Sequence, residues 1–185
     1  MQPLVAQYRD KNVSLKKCKY ILIGDSHTFE LKDYMPPRPD LVNIGIKGDT
    51  TRGILARLRE NILSVESETA IIQIGYNDFK FRSLTRAVAN YKTLLSRLPQ
   101  KQVYLCSLFP VNGKRIITNN KIKLFNKEIE SICAGSSRFK YVNIFDNLYD
   151  AGSRGINPAY TYDGVHLNAK GYAFFLKALD SVVQN

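Results

Sequence analysis

The chain has 185 residues, a length typical of one domain, and we predict a single domain over residues 1–185 with a basic N-terminal extension over residues 1–18. Hydrophobic residues make up 44% of the chain and charged residues 23%, which excludes a mainly disordered protein. No apolar run approaches the ~18 residues of a membrane helix, so no transmembrane segment is expected. No signal peptide is visible after the N-terminal bases, so we expect a cytoplasmic protein, although export of a processed form stays open.

The chain is basic, with 27 Lys and Arg residues against 16 acidic ones and a formal net charge of +11. Such an excess favours an anionic surface or polymer as a partner, although a solvated basic surface is the simpler interpretation. No zinc-finger or RNA-binding motif is present, so specific nucleic-acid binding is not expected. The three cysteines are an odd number without CxxC spacing, so we expect neither a disulfide framework nor a zinc site. The sequence shows no ligand cluster of His, Cys and carboxylate residues, and we expect no metal or other cofactor.

Five short apolar segments rich in β-branched residues alternate with helical patterns along the chain. The predicted strands cover residues 20–23, 41–46, 70–74, 103–108 and 141–145. Apolar stripes at helical spacing lie within residues 54–62, 88–98 and 122–132, and a last helix is predicted from Ala169. This alternation predicts an α/β fold, a three-layer α/β/α sandwich with a five-stranded parallel sheet.

Ligands of such sheets bind at the carboxyl ends of the strands, so the residues after each strand are the candidates for chemistry. The first strand is followed by Gly24-Asp25-Ser26-His27. This turn either exposes the Ser26 hydroxyl as a nucleophile or uses Asp25 or Ser26 as an ordinary helix N-cap.

The second and third strands also end in residues suited to binding negative charge. Gly48 precedes a cluster, Asp49–Thr51, that would cap the next helix, and a glycine there lets the backbone N–H approach a ligand oxygen. Asn77 follows the third strand and would either offer its side-chain amide to developing negative charge or simply close a turn.

Near the C-terminus, Asp163 lies three residues before His166. An aspartate at this spacing can hold the imidazole by its Nδ1–H and leave Nε2 free as a base. The other histidine, His27, is too close in sequence to Ser26 to accept its proton easily, so a Ser–His pair would join Ser26 to His166. The alternative is that both residues are ordinary polar residues of a surface loop.

Together these motifs, in this order, resemble the SGNH (GDSL) hydrolase family from about Tyr20 to the end of the chain. The resemblance implies that Ser26, Gly48, Asn77 and His166 are the four name-giving residues and that Asp163 completes a catalytic triad. It also implies an oxyanion hole formed by the N–H groups of Ser26 and Gly48 and by the Asn77 amide. The family fold is the three-layer sandwich predicted above. His27 departs from the leucine or isoleucine that is common at its position.

Within the family, residues 45–58 are similar to members related to platelet-activating-factor acetylhydrolase and carbohydrate acetylesterases. The resemblance implies a serine esterase that hydrolyses short-chain O-acyl esters, above all acetyl esters, of a sugar or other polar alcohol through an acyl-enzyme. A polar loop over residues 157–162, with Tyr76 opposite it, would suit a polar alcohol. The expected substrate-binding residues are His27, Tyr76, Tyr160 and Tyr162.

Two alternatives stay open. The first is a lysophospholipase or acyl-thioesterase, and the second is a non-hydrolytic binding or acyl-transfer module with a basic face. The sequence does not predict an oligomeric state.

Overall fold

The computed structural model of the chain describes residues 17–112 and 117–183. The predicted basic extension lies outside the described residues except at its last two positions, of which Cys18 already belongs to the first strand. None of the described helices is both long and apolar enough to cross a membrane.

Five parallel strands form the central sheet, as predicted. They are β1 (Cys18–Gly24), β2 (Leu41–Asn43), β3 (Ser67–Gln73), β4 (Gln102–Cys106) and β5 (Phe139–Val142). Their order across the sheet is β2-β1-β3-β4-β5. The chain therefore moves from β1 to one side of the sheet and then returns to the other side of β1, which leaves a crevice at the carboxyl ends of β1 and β3.

Helices cover both faces of this sheet. They are α1 (Ser26–Leu31), α2 (Thr51–Arg57), which continues as a π-helical turn (Leu58–Ile62), α3 (Leu84–Arg97), α4 (Asn119–Ala134), α5 (Phe145–Leu148) and α6 (Ala169–Val183). Two 3-10 turns (Tyr76–Lys80 and Pro158–Tyr160) and a small antiparallel hairpin, β6 (Tyr149–Asp150) with β7 (Gly155–Ile156), complete the described elements.

The alternating residues of β1 show how the sheet divides the core. Ile21 and Ile23 are buried in the cluster that includes residues of α2, α3 and α4, whereas Tyr20 and Leu22 are buried in the cluster formed with α1 and α6. Because successive side chains of a strand point to opposite faces, a nearly continuous apolar run fits a sheet that is covered on both sides. The three-layer α/β/α prediction is therefore confirmed.

The second and fifth strands end earlier than predicted because local hydrogen bonds turn the backbone. After β5, the Ser107 hydroxyl accepts the N–H groups of both Ile144 and Phe145 at 2.9 Å and starts α5 there. After β2, the Asn43 side chain accepts the Gly45 N–H at 2.9 Å. A Cβ on Gly45 would lie 2.3 Å from the Thr28 hydroxyl, so only glycine lets the chain pass this close to α1.

Candidate active site

Ser26 is the first residue of α1, directly after β1, and only 9% of it is exposed. The preceding residue, Asp25, is the N-cap, and its carboxylate accepts the His27 N–H at 3.1 Å. Asp25 thus takes the capping role, and the Ser26 side chain is left to make a contact elsewhere.

That contact is with His166, whose Nε2 lies 3.1 Å from the Ser26 Oγ. On the other side of the same ring, Nδ1 lies 2.8 Å from the Asp163 carboxylate. The carboxylate also accepts the backbone N–H groups of Val165 at 2.8 Å and of His166 at 2.7 Å. The structure therefore brings the three predicted side chains together, although Ser26 and His166 are 140 positions apart in the chain.

The hydrogen bonds around Asp163 determine its ionisation. Partial burial acts to raise the pKa of this carboxyl, but the hydrogen bonds from the His166 side chain and from the two backbone N–H groups outweigh it and lower the pKa to about 2. The carboxylate is thus ionised at neutral pH and accepts the Nδ1–H of His166. This tautomer leaves the Nε2 lone pair directed at the serine hydroxyl.

Gly48 and Asn77 lie at the ends of neighbouring strands. Gly48 has a φ of +76°, a backbone conformation that favours glycine. A Cβ at this position would meet no atom within 4 Å, so glycine is needed for its backbone conformation and not for lack of space. Its N–H donates to no acceptor within residues 17–112 and 117–183. The Asn77 side-chain Nδ2 donates to the Asp49 carbonyl at 3.0 Å and ties the third-strand turn to the Gly48 turn.

Lys80 is a residue of the site that sequence reasoning missed. Its ammonium donates to the Asn77 Oδ1 at 3.0 Å. An ammonium can only donate and a carbonyl can only accept, so Lys80 and the Asp49 carbonyl together fix which end of the Asn77 amide is NH₂. The signal was available in principle, since Lys80 follows Asn77 by three residues, but only the 3-10 turn over Tyr76–Lys80 makes that spacing a contact.

Two buried carboxylates support the turns that carry Gly48 and Asn77. Asp49 pairs with the buried Arg57 at 2.9 Å, and Arg57 also donates to the Ile44 carbonyl at 3.0 Å. Asp78 accepts both the backbone N–H and the hydroxyl of Thr51, at 2.8 and 2.7 Å. Burial raises the pKa of both carboxyls, although these contacts oppose the shift. Both contacts were missed, because they join residues 8 and 27 positions apart.

The four predicted substrate-binding residues lie in different surroundings. Tyr162 is 59% exposed, and its ring stacks on that of His166 at 5.8 Å. Tyr160 is partly buried and packs against Phe174 of α6. His27 and Tyr76 are only 1% and 7% exposed. These two side chains are packed beneath the site, and their role in substrate binding stays a prediction.

Glu30 was also missed and lies beside the site. One of its carboxylate oxygens is 2.9 Å from the Lys47 ammonium, and the other accepts the hydroxyls of Tyr162 at 3.3 Å and Tyr172 at 3.4 Å. Burial acts to raise the pKa of Glu30, but the Lys47 hydrogen bond and the nearby His166 outweigh it and lower the pKa. Among the described residues, no group of three or more His, Cys, Asp or Glu side chains is placed to hold a metal ion.

The fold and this arrangement are those of a hydrolase that carries a serine, a histidine and an aspartate at the carboxyl edge of a parallel sheet. The sequence profile of the GDSL-like lipase/acylhydrolase family matches residues 23–174, and the chain belongs to that family. It is therefore a carboxylic ester hydrolase. No curated protein sequence matches the chain.

Several solved structures share the fold over nearly the whole chain. One, a proposed platelet activating factor from Streptococcus pneumonia, is 25% identical, with a TM-score of 0.82 over 97% of this chain and 90% of that one. A provisionally assigned acylhydrolase from Bacteroides fragilis is 20% identical, with a TM-score of 0.84 over 97% and 95%. An acetylxylan esterase from Geobacillus stearothermophilus is 19% identical, with a TM-score of 0.69 over 90% and 94%. At 20% and 19% identity, the last two show the fold alone.

Proposed function

We propose that this ester hydrolase removes short-chain acyl groups, above all acetyl, from a sugar or another polar alcohol through an acyl-enzyme on Ser26. The observation that carries the proposal is the continuous chain of hydrogen bonds from the Ser26 Oγ to His166 Nε2, at 3.1 Å, and from His166 Nδ1 to Asp163, at 2.8 Å. A nucleophile within hydrogen-bond reach of a base, with the base held by a third group, is the arrangement that acyl transfer needs.

In the first half of the reaction, His166 takes the Ser26 proton as the oxygen attacks the ester carbonyl. The imidazolium that forms is stabilised by the ionised Asp163, and it then gives the proton to the departing alcohol. The acyl group is left on Ser26. In the second half, His166 takes a proton from water as the water oxygen attacks the acyl-enzyme. His166 then gives this proton to the departing Ser26 Oγ, so the acid is released and the Ser26 hydroxyl is restored.

The tetrahedral intermediates carry an oxyanion, which we assign to the N–H groups of Ser26 and Gly48 and to the Asn77 amide. The unengaged Gly48 N–H and the fixed orientation of the Asn77 amide support this assignment. The Lys80 ammonium on Asn77 Oδ1 adds positive charge close to the position of the oxyanion. Donors of this kind typically contribute on the order of a hundredfold to turnover.

The residues around the opening support a polar alcohol as the leaving group. The exposed Tyr162 ring beside His166 offers a flat face of the kind on which a sugar ring stacks, while Lys47 and Lys80 supply hydrogen-bond donors. The fold is shared with an acetylxylan esterase, which is consistent with a glycan ester. We further propose that the net charge of +11 attracts anionic substrates or surfaces to this opening.

One observation favours the alternative of a lysophospholipase or acyl-thioesterase. Phe81, which directly follows Lys80, is 72% exposed, and an exposed aromatic side chain near the opening would suit a longer acyl chain. The dependence of kcat/KM on acyl length distinguishes the acetylesterase from the lysophospholipase or acyl-thioesterase. With 4-nitrophenyl esters from acetyl to decanoyl, a fall beyond butyryl supports the acetylesterase, and a rise supports the alternative.

The catalytic assignment is tested by labelling with a serine-reactive fluorophosphonate and by the Ser26→Ala variant. Wild type should be labelled on Ser26, and Ser26→Ala should lose both labelling and turnover. It should also unfold at nearly the same denaturant concentration, because the change removes a single hydroxyl. A wild-type protein that is neither labelled nor active would favour a pure binding module, and an active Ser26→Ala variant would exclude this nucleophile.

A further inference from the structure

The second histidine of the chain occupies an unusual place beneath the site. His27 is 1% exposed, and both of its ring nitrogens meet oxygen atoms. Nε2 lies 2.9 Å from the Val165 carbonyl, and Nδ1 lies 3.3 Å from the Asp25 carboxylate. Asp25 directly precedes Ser26, and Val165 directly precedes His166. The imidazole thus joins the residue next to the predicted nucleophile to the residue next to the predicted base.

We propose that His27 is a positioning residue for ester hydrolysis, which holds the loop of His166 onto the turn of Ser26 by donating hydrogen bonds from both ring nitrogens. The inference rests on the proposed function, since it concerns the geometry of that reaction. It does not make His27 a catalytic residue, because the ring is buried and has no free nitrogen to offer a substrate.

The chemistry of the two acceptors determines the protonation of the ring. A backbone carbonyl can only accept, so Nε2 must carry a hydrogen. We infer that Nδ1 carries a hydrogen too and donates it to the Asp25 carboxylate, so that His27 is an imidazolium paired with Asp25. Burial acts to lower the pKa of His27, but the Asp25 carboxylate and the Val165 carbonyl outweigh it and raise the pKa. The second carboxylate oxygen of Asp25 has no hydrogen-bond partner among the described residues, whereas the first accepts the His27 backbone N–H at 3.1 Å and lies 3.3 Å from the His27 Nδ1.

The bridging imidazole also lies close to the predicted base, since the ring centroids of His27 and His166 are 5.4 Å apart. The other groups that face His27 are Asp25, Glu30 and the rings of Tyr76 and Phe109. A change at His27 therefore acts on the position of His166 from within the same packed cluster.

The protonation of His27 can be observed directly by ¹⁵N NMR of the full-length protein labelled at histidine. The chain contains only two histidines, so His166→Ala identifies each signal. At neutral pH both His27 nitrogens should be protonated. A His27 signal with an unprotonated Nε2 would overturn the proposal, since the bond to Val165 would then not exist. This readout does not depend on esterase activity, so it decides the bridge even if the proposed reaction proves wrong.

The positioning role is tested by the turnover of His27→Leu on 4-nitrophenyl acetate. Displacement of the base relative to the nucleophile should lower kcat by roughly 10- to 100-fold with little change in KM. An unchanged kcat in His27→Leu would overturn the proposal, and so would a loss that appears in KM and not in kcat.

Phe109→Leu is the matched control for packing. The Phe109 ring packs against the edge of His27 at 4.8 Å, but it makes neither bridging hydrogen bond. This variant should lose stability and keep kcat close to the wild-type value. If it lowers kcat as far as His27→Leu does, the role of His27 is only one of packing, and the proposal fails.

Asp25→Asn keeps the proposal testable if His27→Leu does not fold. Asparagine retains the oxygen that caps α1, and it removes the negative charge that holds the Nδ1 proton. In this variant the His27 Nδ1 should lose its proton at neutral pH while Nε2 stays protonated on Val165. A fully protonated His27 in Asp25→Asn would show that Asp25 is not its partner and would overturn the bridge.

Discussion

Replacement of Arg57 by methionine should strongly destabilise the protein, because Arg57 and Asp49 form an ion pair in the interior. Their side chains are 3% and 8% exposed, and the Arg57 Nε lies 2.9 Å from the Asp49 carboxylate. A methionine of similar length keeps most of the packing. Among the described residues, the Thr50 N–H, at 2.8 Å, is then the one remaining hydrogen-bond donor to the Asp49 carboxylate.

The loss of one partner from a buried ion pair typically costs about 3–5 kcal/mol, since a buried charge is left without its counter-ion. For a domain of this size, 1 kcal/mol corresponds to about 2–4 °C in Tm, so Arg57→Met should lower Tm by roughly 6–20 °C. Asp49 is next to Gly48 and accepts the Asn77 amide through its carbonyl, so kcat should fall as well.

The pH dependence of this loss has a definite sign. Burial raises the pKa of Asp49 above its ordinary value of 3.8 even with Arg57 present. A carboxyl with a raised pKa in the folded state favours folding below its unfolded pKa, and that contribution disappears as the pH rises through the folded pKa. Removal of Arg57 raises the folded pKa further. The stability deficit of Arg57→Met should therefore shrink as the pH falls from 7 towards 5.

Urea unfolding of wild type, Arg57→Met, Asp49→Asn and the double variant measures these effects as a thermodynamic cycle. The double variant should be more stable than Arg57→Met alone by about 2 kcal/mol, because asparagine carries no charge to leave unpaired. A cost of Arg57→Met below about 1 kcal/mol, or no recovery in the double variant, would refute the ion-pair argument.

Four further outcomes are expected. Gly48→Ala should lower the free energy of unfolding, measured with urea, by about 1–2 kcal/mol, because φ at this position is +76°, although there is space for a Cβ. It should also lower kcat at least about tenfold, and an unchanged kcat would remove Gly48 from the oxyanion hole. Asp163→Asn should lower kcat about 100-fold or more with a small change in KM; full activity in steady-state assays would contradict the role of the carboxylate. Lys80→Met should lower kcat roughly tenfold. The control is Lys92→Met, at an exposed lysine of α3, which should leave kcat unchanged. Finally, kcat/KM on an anionic acetyl ester should fall with rising salt while that on a neutral ester stays constant; a flat response for both would reduce the basic excess to a solvated surface.

The sequence by itself determined the parallel sheet and the set of reactive groups. Nearly continuous apolar runs such as that of β1 are stable only when both faces are covered, so the layers follow from local composition. The carboxyl ends of parallel strands meet at one edge, so Ser26 and Asn77 could be expected together there, and the spacing of Asp163 and His166 indicated their contact.

Only the tertiary structure decided what surrounds these groups. His27, expected to take part in substrate binding, is buried against the Val165 carbonyl and the rings of Phe109 and Tyr76. Lys80 and Arg57 acquire their roles from partners on other turns of the chain. The physical reason is that the periodic pattern of apolar residues in a sequence indicates which face of a helix or strand is apolar. The partner of a buried charge or hydrogen-bonding group, in contrast, depends on which distant segments the fold brings within about 3 Å.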